Sequence, residues 1–309
     1  MNFNDDNDLF LEPKTNQYGS HMVMTNVNKP TKTKFINIDT KFRDEYNYND
    51  TSTYNTTLPE RYKYVINLPD RITGAKTICV KSAEIPMTFY NVSANLGNNT
   101  ILVTNTSTGT SYTIVIADKY YSAMSSLVSD VNTALAPAST LTLTTSSNKN
   151  VFTSTAGSNF TITFSSQDKY SLKSSLGWIL GFRKVTTTVL AGGTSVASYP
   201  MFLTLPFPRY LYISIDEFNK GVQNSFVTPV VSASLNKNAI ARVVLDPVRF
   251  AFGSVLNATE NNGLLVSDTR SYNGKVDLQR LSIQLFNEMG MPIDLNGQDF
   301  SFCIEATYE

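Results

Sequence analysis

Histidine is nearly missing from this chain: the 309 residues hold one, His21. Ser-His-Asp and Cys-His catalysis both need a histidine held beside the nucleophile. Zinc sites and cupin-type iron sites take two or more His or Cys ligands together. A lone histidine in a stretch without periodicity sets both classes aside, so no catalytic, cofactor-binding or metal-ligating residue is assigned. The two cysteines, Cys79 and Cys303, lie inside apolar, strand-like runs and read as small buried hydrophobes rather than a disulfide.

Charge is scarce as well. Charged residues make up 16% of the chain, against about 25% in ordinary soluble domains. The formal net charge is +0, and no cluster of Lys and Arg stands out to neutralise phosphates, so direct nucleic-acid binding is not expected. Near-zero net charge also removes the self-repulsion that keeps many proteins monomeric. No apolar run approaches the about 18 residues of a membrane span. The opening MNFNDDNDLF is acidic and lacks the apolar centre of a secretory leader, which points to synthesis in a reducing compartment. Sequons at Asn55, Asn91 and Asn257 therefore carry little weight. A Gly-Lys-Ser/Thr loop for phosphate is absent; Gly177 and Gly181 bracket apolar residues and read as close-packing points.

In place of charge come Ser, Thr and Asn, with 18 Phe and 16 Tyr. Uncharged hydroxyls and amides suit strand faces and turns, and they enter a subunit contact with less desolvation than charges do. At 41% hydrophobic residues, a chain of this size can build a core without staples. Tyr46, Tyr48, Tyr54, Tyr120 and Tyr121 stand in the most polar contexts and are expected to be exposed.

Residues 1–32 read as an extended N-terminal arm, either ordered against a partner or a plain disordered terminus. From residue 33 the pattern is β. Short β-branched runs fall between turn signals: Lys34–Asp39, Tyr62–Leu68 closed by Pro69, Ala75–Ile85 closed by Pro86, Ile101–Thr104 and Tyr112–Ile116. Leu141–Thr145, Val151–Thr153, Phe160–Phe164, Arg209–Ile215, Ala239–Leu245, Val276–Phe286 and Phe300–Tyr308 follow. One amphipathic helix is predicted over Asp118–Leu135, with Met124, Leu127, Val128, Val131 and Leu135 on one face, Asp118 as its cap and Pro137 past its end. These strands outnumber the eight of one jelly roll. The expected fold is all-β: a single jelly-roll β-sandwich over 33–309, with a small inserted β subdomain at about 90–185 that carries the helix.

Carboxylate pairs are the remaining route to catalysis, since glycosidases need only two acids across a groove. Asp216, Glu217, Asp268, Asp277, Asp294 and Asp299 are the candidates. Adjacent strand residues point to opposite faces, which separates Asp216 from Glu217. The others stand beside turn residues, where Asp commonly caps backbone N–H groups.

Several segments in order carry a resemblance. They are Phe35-Ile-Asn-Ile-Asp-Thr-Lys-Phe-Arg43, Asn67-Leu-Pro69 leading to Val80-Lys-Ser-Ala-Glu-Ile-Pro86, and Gly97-Asn-Asn99 before a strand and the helix. Leu176-Gly-Trp-Ile-Leu-Gly-Phe-Arg183, Tyr272-Asn-Gly274 and Leu281 to Phe302 with its Asn296-Gly-Gln-Asp-Phe-Ser-Phe close complete the series. Together they resemble the penton and minor capsid proteins of large nucleocytoplasmic DNA viruses. Asn287 stands where that family often has Asp, and Asn273 where Gly-Pro is frequent. The resemblance implies a virion component without enzymatic activity or cofactors, assembled in the host cytoplasm as a homopentamer at the icosahedral vertex. Its implied partners are trimers of the major capsid protein and other minor capsid proteins. Two alternatives stand beside it: a non-vertex minor capsid protein beneath the shell, and a carbohydrate-binding β-sandwich that takes a host glycan.

Overall fold

The computed structural model describes residues 30–42, 63–155, 157–165, 169–201, 208–218 and 238–309, with the backbone of two short strands at 8–10 and 25–27. In chain order the elements are β1 (Asp8–Phe10), β2 (Thr25–Val27), β3 (Lys32–Asp39), β4 (Lys63–Pro86), β5 (Thr100–Asn105) and β6 (Thr110–Val115). Helix α1 (Met124–Ala134) leads to β7 (Leu141–Ser146), β8 (Lys149–Ser154), β9 (Phe160–Thr163), α2 (Lys169–Ser174), α3 (Leu176–Ile179), β10 (Thr186–Val189) and β11 (Thr194–Val196). The chain closes with β12 (Tyr210–Asp216), β13 (Ala239–Val244), β14 (Val255–Thr259), β15 (Leu265–Ser267), β16 (Arg270–Asn287) and β17 (Ser301–Tyr308).

Strand pairing defines a jelly roll. One antiparallel sheet runs β3-β17-β4-β14 through the second half of β4, and the other runs β4-β16-β12-β13 through its first half. A single long strand thus serves both layers. Tyr64 faces Ile283 of β16, whereas Glu84 faces Ser301 of β17. Inward residues of both sheets meet in one hydrophobic cluster, among them Ile38, Ile78, Val80, Ile213, Val243, Leu256, Ile283, Phe302 and Ile304. The alternation of β17 shows why it forms: Phe302, Ile304 and Ala306 are buried, while Ser301, Cys303 and Glu305 between them are half-exposed.

Two strands were expected where β4 is one element. The expected break at Pro69 falls inside a slip of the β4–β16 register, between the pairs Asn67–Arg280 and Ile72–Leu278. At such an irregularity a proline is tolerated. The chain then bends through Gly74, whose φ of +68° is left-handed and whose N–H donates to Asp277 Oδ1 at 3.1 Å.

Residues from Val92 to Met201 form a second hydrophobic cluster, separate from that of the sandwich. Its sheets are β10-β9-β5-β6 and β11-β8-β7. Met124, Leu127 and Val131 of α1 are buried in it, as their spacing requires. The helix is shorter than expected, beginning at Met124 with Ala123 as its cap residue and no side-chain cap. Asp118 is engaged elsewhere: its Oδ1 accepts from Ala94 N at 2.9 Å and Asn99 Nδ2 at 3.0 Å. The cluster reaches past residue 185 because β10 and β11, three or four residues each and rich in Thr, pair with β9 and β8. Their brevity left no alternation to read in the sequence.

Candidate assembly surfaces

None of the candidate carboxylates belongs to a group of three or more His, Cys, Asp or Glu side chains among the described residues. Asp277 is bound to the guanidinium of Arg71 and to Gly74 N, and the Arg71 contact above all holds its carboxyl below the usual range. Asp268 Oδ1 accepts from Thr269 N, Asp294 Oδ1 from Asn296 N, Asp299 Oδ1 from the Thr40 hydroxyl and Asp216 Oδ1 from Phe218 N. Those of Asp268, Asp294 and Asp216 are local backbone roles, while Asp299 ties to a side chain of the distant Thr40. His21, Tyr46, Tyr48, Tyr54 and Asn55 lie outside the described residues. Cys79 and Cys303 are free thiols, and burial raises the pKa of both.

Glu217 is the exception among the carboxylates. It is buried and receives hydrogen bonds at Oε1 from Arg270 Nη1 at 2.6 Å and from the Tyr272 hydroxyl at 2.8 Å. Arg270 also donates to the carbonyls of Ile215 and Asn238. Burial, with the Glu217 charge second, drives the Tyr272 pKa upward. Glu217 was visible in the sequence as an acid at a strand end, but its partner stands 53 residues away, a separation that no local pattern encodes.

A second group missed from sequence is the neck between the two cores. Asn91 and Tyr121 exchange backbone and amide hydrogen bonds at 2.9 and 2.8 Å. Asn98 donates to Asn91 O and accepts from Ser93 N. Asn91, Asn98 and Asn99 are all buried; each polar group is matched, as burial demands. The Asn91 sequon is thereby hidden, while Asn257 of β14 remains exposed. Tyr121, expected at the surface, is fully buried, and its hydroxyl donates to Asp130 Oδ2 at 2.8 Å. Its ring supplies apolar bulk to the second core, which outweighs its polar sequence neighbours. Tyr120 is half-buried and stacks on Phe252. Gly177 and Gly181 are close-packing points: a Cβ on Gly177 would stand 2.3 Å from the Phe164 ring, and one on Gly181 2.6 Å from Tyr199 O. Nearby, Arg183 is sandwiched between the rings of Trp178 and Tyr199, at 3.8 and 4.9 Å.

What the sandwich presents outward is a pair of unlike edges. At one end of its first sheet, β3 pairs only with β17 among the described residues. Phe35 and Phe42 there are 63% and 77% exposed. They line a groove of about 400 Å³ with Ile36, Ile66, Leu68 and Pro69. At the opposite end β14 pairs only with β4 among the described residues, and Val248 and Phe252 in the segment leading into it are exposed, as is Val255 of the strand itself. A polar cavity of about 220 Å³ lies at the neck, walled by Phe89, Tyr90, Asp118, Asp294 and Asn296.

No protein-family model matches this sequence, and no curated protein does. Among solved structures the chain is similar to the mavirus penton protein, at 10% identity and a TM-score of 0.42, over 91% of this chain and 100% of that one. A second similar structure is that of the Sputnik virophage, at 10% identity and a TM-score of 0.41, over 90% of this chain and 98% of that chain.

Apolar side chains on two open edges of one sheet are an aggregation hazard unless something covers them. Charge near these edges is modest: Lys34 and Asp70 face one another across the groove at 3.7 Å, the first about half-exposed and the second largely exposed. Among the described residues no helix is long and apolar enough to cross a membrane.

Proposed function

We propose that this chain is a structural capsid protein that forms the pentameric vertex of an icosahedral large DNA virus shell. The observation that carries the reading is the jelly roll with two unlike open edges, β3 with Phe35 and Phe42 and β14 with Val248, Phe252 and Val255. A ring closes through a heterologous contact, in which one patch of each copy meets a different patch of the next. Opposite ends of one sheet supply such a pair. Residues 1–32 serve as the arm and 33–309 as the capsid body. The second core is the inserted subdomain, expected at about 90–185 and extended here to about residue 201. Major capsid trimers and other minor capsid proteins are the neighbours of the ring. The role is non-enzymatic, because the candidate carboxylates serve turns and internal ion pairs.

Electron microscopy of particles tests this directly. Density for the chain around five-fold vertices is expected; density between capsomers or along facets overturns the vertex role in favour of a minor protein beneath the shell. Purified full-length chain should also show a native mass five times its 34.2 kDa.

The cavity at the neck favours a second reading, host-glycan attachment. Tyr90 offers an aromatic wall, while Asp118, Asp294 and Asn296 offer polar atoms, a combination that suits a sugar ring. Binding on a glycan array that is lost in Tyr90→Ala supports it, and an array without signal removes it.

A further inference from the structure

Charge in the second core runs one way. Between Asp130 and Asp216 the sequence holds one acid, Asp168, against six Lys and Arg. Among the described residues Lys149, Arg183 and Lys184 enter no ion pair.

Hydrogen bonds bring Lys149 and Arg183 to one place. Ser147 and Asn148, with left-handed φ of 50° and 60°, form the two-residue turn between β7 and β8, and Lys149 follows it. Met201 N donates to Asn148 O at 2.8 Å, which lays the segment after β11 against this turn. Lys149 Nζ donates to Ser198 O at 3.4 Å, beside Tyr199. Tyr199 N in turn donates to Gly181 O at 3.1 Å, two residues before Arg183.

Arg183 is held rather than mobile. The rings of Trp178 and Tyr199 flank its guanidinium, and Nη1 donates to Trp178 O at 2.8 Å and to Phe182 O at 3.1 Å. Among the described residues no acceptor meets Nε or Nη2. Burial lowers the Arg183 pKa, yet an arginine stays charged at any physiological pH. A fixed, half-dehydrated guanidinium with spare donors is suited to a two-pronged contact with an oxyanion.

The surroundings narrow the ligand. Tyr199 is 55% exposed, and an open aromatic ring gives a sugar a stacking face. Thr142 and Thr144 of β7 and Thr194 of β11 are exposed nearby in the same sheet, so hydroxyls outnumber charges. That suits a ligand of hydroxyls with an occasional anion. A polyphosphate chain needs a longer track of cations.

We propose that Arg183, with Lys149 and the ring of Tyr199, binds an acidic glycan through its carboxylate or sulfate group. The site shares no residue with the neck cavity or with the edges of the sandwich.

Immobilised full-length protein at physiological salt tests it, with heparin and polysialic acid as probes and dextran as the neutral control. Binding of heparin alone assigns a sulfate and binding of polysialic acid alone a carboxylate, while neither rising above dextran overturns the site. Arg183→Gln should weaken binding at least about tenfold, as loss of a charge-assisted contact does. Arg183→Lys should not restore it, because the two-pronged contact is lost. Lys149→Gln and Tyr199→Ala should each weaken binding about threefold, and these two decide the matter should Arg183→Gln fail to fold by circular dichroism. Undiminished binding in the folded variants overturns the assignment. Polyglutamate or single-stranded DNA bound as tightly as the glycan would likewise overturn it, in favour of an acidic-peptide or general polyanion surface.

Discussion

Arg270 and Glu217 meet as a buried ion pair, with Nη1 2.6 Å from Oε1 and both side chains 1% exposed. Because Arg270 also grips the carbonyls of Ile215 and Asn238, it ties the end of β12 to the start of β13. Two buried atoms of the pair, Glu217 Oε2 and Arg270 Nε, have no hydrogen-bond partner among the described residues. A pair with this shortfall gives less net stability than its geometry suggests, yet losing one member leaves a buried charge uncompensated.

Arg270→Met should therefore destabilise the chain by about 3–5 kcal/mol, the usual cost of breaking a buried pair from one side. Adding Glu217→Leu should recover part of the loss, since no orphan charge remains. Chemical denaturation of the single and double variants measures both. A double variant as unstable as the single would show that the carbonyl contacts of Arg270, not the charge pair, carry the effect.

Gly177→Ala should weaken the second core, because the new Cβ would stand 2.3 Å from the Phe164 ring. That ring is held in turn by Phe182 at 4.9 Å and Phe152 at 6.3 Å, so it has little room to retreat. Overpacking of this kind costs about 1–3 kcal/mol. Trp178 is the chain's single tryptophan and lies next to the substitution; its emission during denaturant titration reports the change locally. An unchanged midpoint would contradict the close-packing role.

Much of the sandwich was legible because its strands alternate. In Leu281-Ser-Ile-Gln-Leu285 the apolar positions are buried in the main core, and β17 behaves likewise. Breaks in the hydrophobic pattern were less reliable. Pro69 suggested a strand end, yet the ladder absorbs it within a register slip. The neck was illegible for a different reason. Asn91, Asn98 and Asp118 look like turn residues, and only three-dimensional pairing, such as Asn91 with Tyr121 thirty residues on, makes them internal ties. The groove was hidden too, since Phe35 sits in a regular β pattern and its exposure follows from β3 being an edge.

Phe252, in the segment leading into β14, packs its ring on two tyrosines of the neck. It stacks on Tyr120 at 5.1 Å and on Tyr90 at 6.3 Å, with interplanar angles of 21° and 17°. Offset aromatic pairs add about 0.5–1.5 kcal/mol each beyond the area they bury. Phe252→Ala should cost about 1–3 kcal/mol on that basis and should loosen the neck before either core. Limited proteolysis should then cut near residues 90 and 120 sooner than in wild type, while Phe252→Tyr keeps the wild-type pattern. Identical cleavage of wild type and Phe252→Ala would mean that the buried asparagines alone hold the neck.

Glu309 sets an acid limit on the sandwich. Its carboxylate is gripped by Lys275 of β16 and Lys76 of β4, each at 2.8 Å, so three strands meet at one charge. These hydrogen bonds, Lys275 first and Lys76 second, hold its pKa at about 2, below the ordinary 4.5. A carboxyl whose pKa is depressed by folding stabilises the fold only while it is ionised. The contribution is fully present above about pH 4.5 and is lost as pH falls toward about 2. Wild type should thus exceed Glu309→Gln in stability by a constant margin above pH 5, and the margin should close between pH 4.5 and 2. Carbon-detected NMR of the side-chain carboxyl supplies the direct reading, with a midpoint near 2 expected. A midpoint near 4.5 would show that both lysines leave Glu309 in solution.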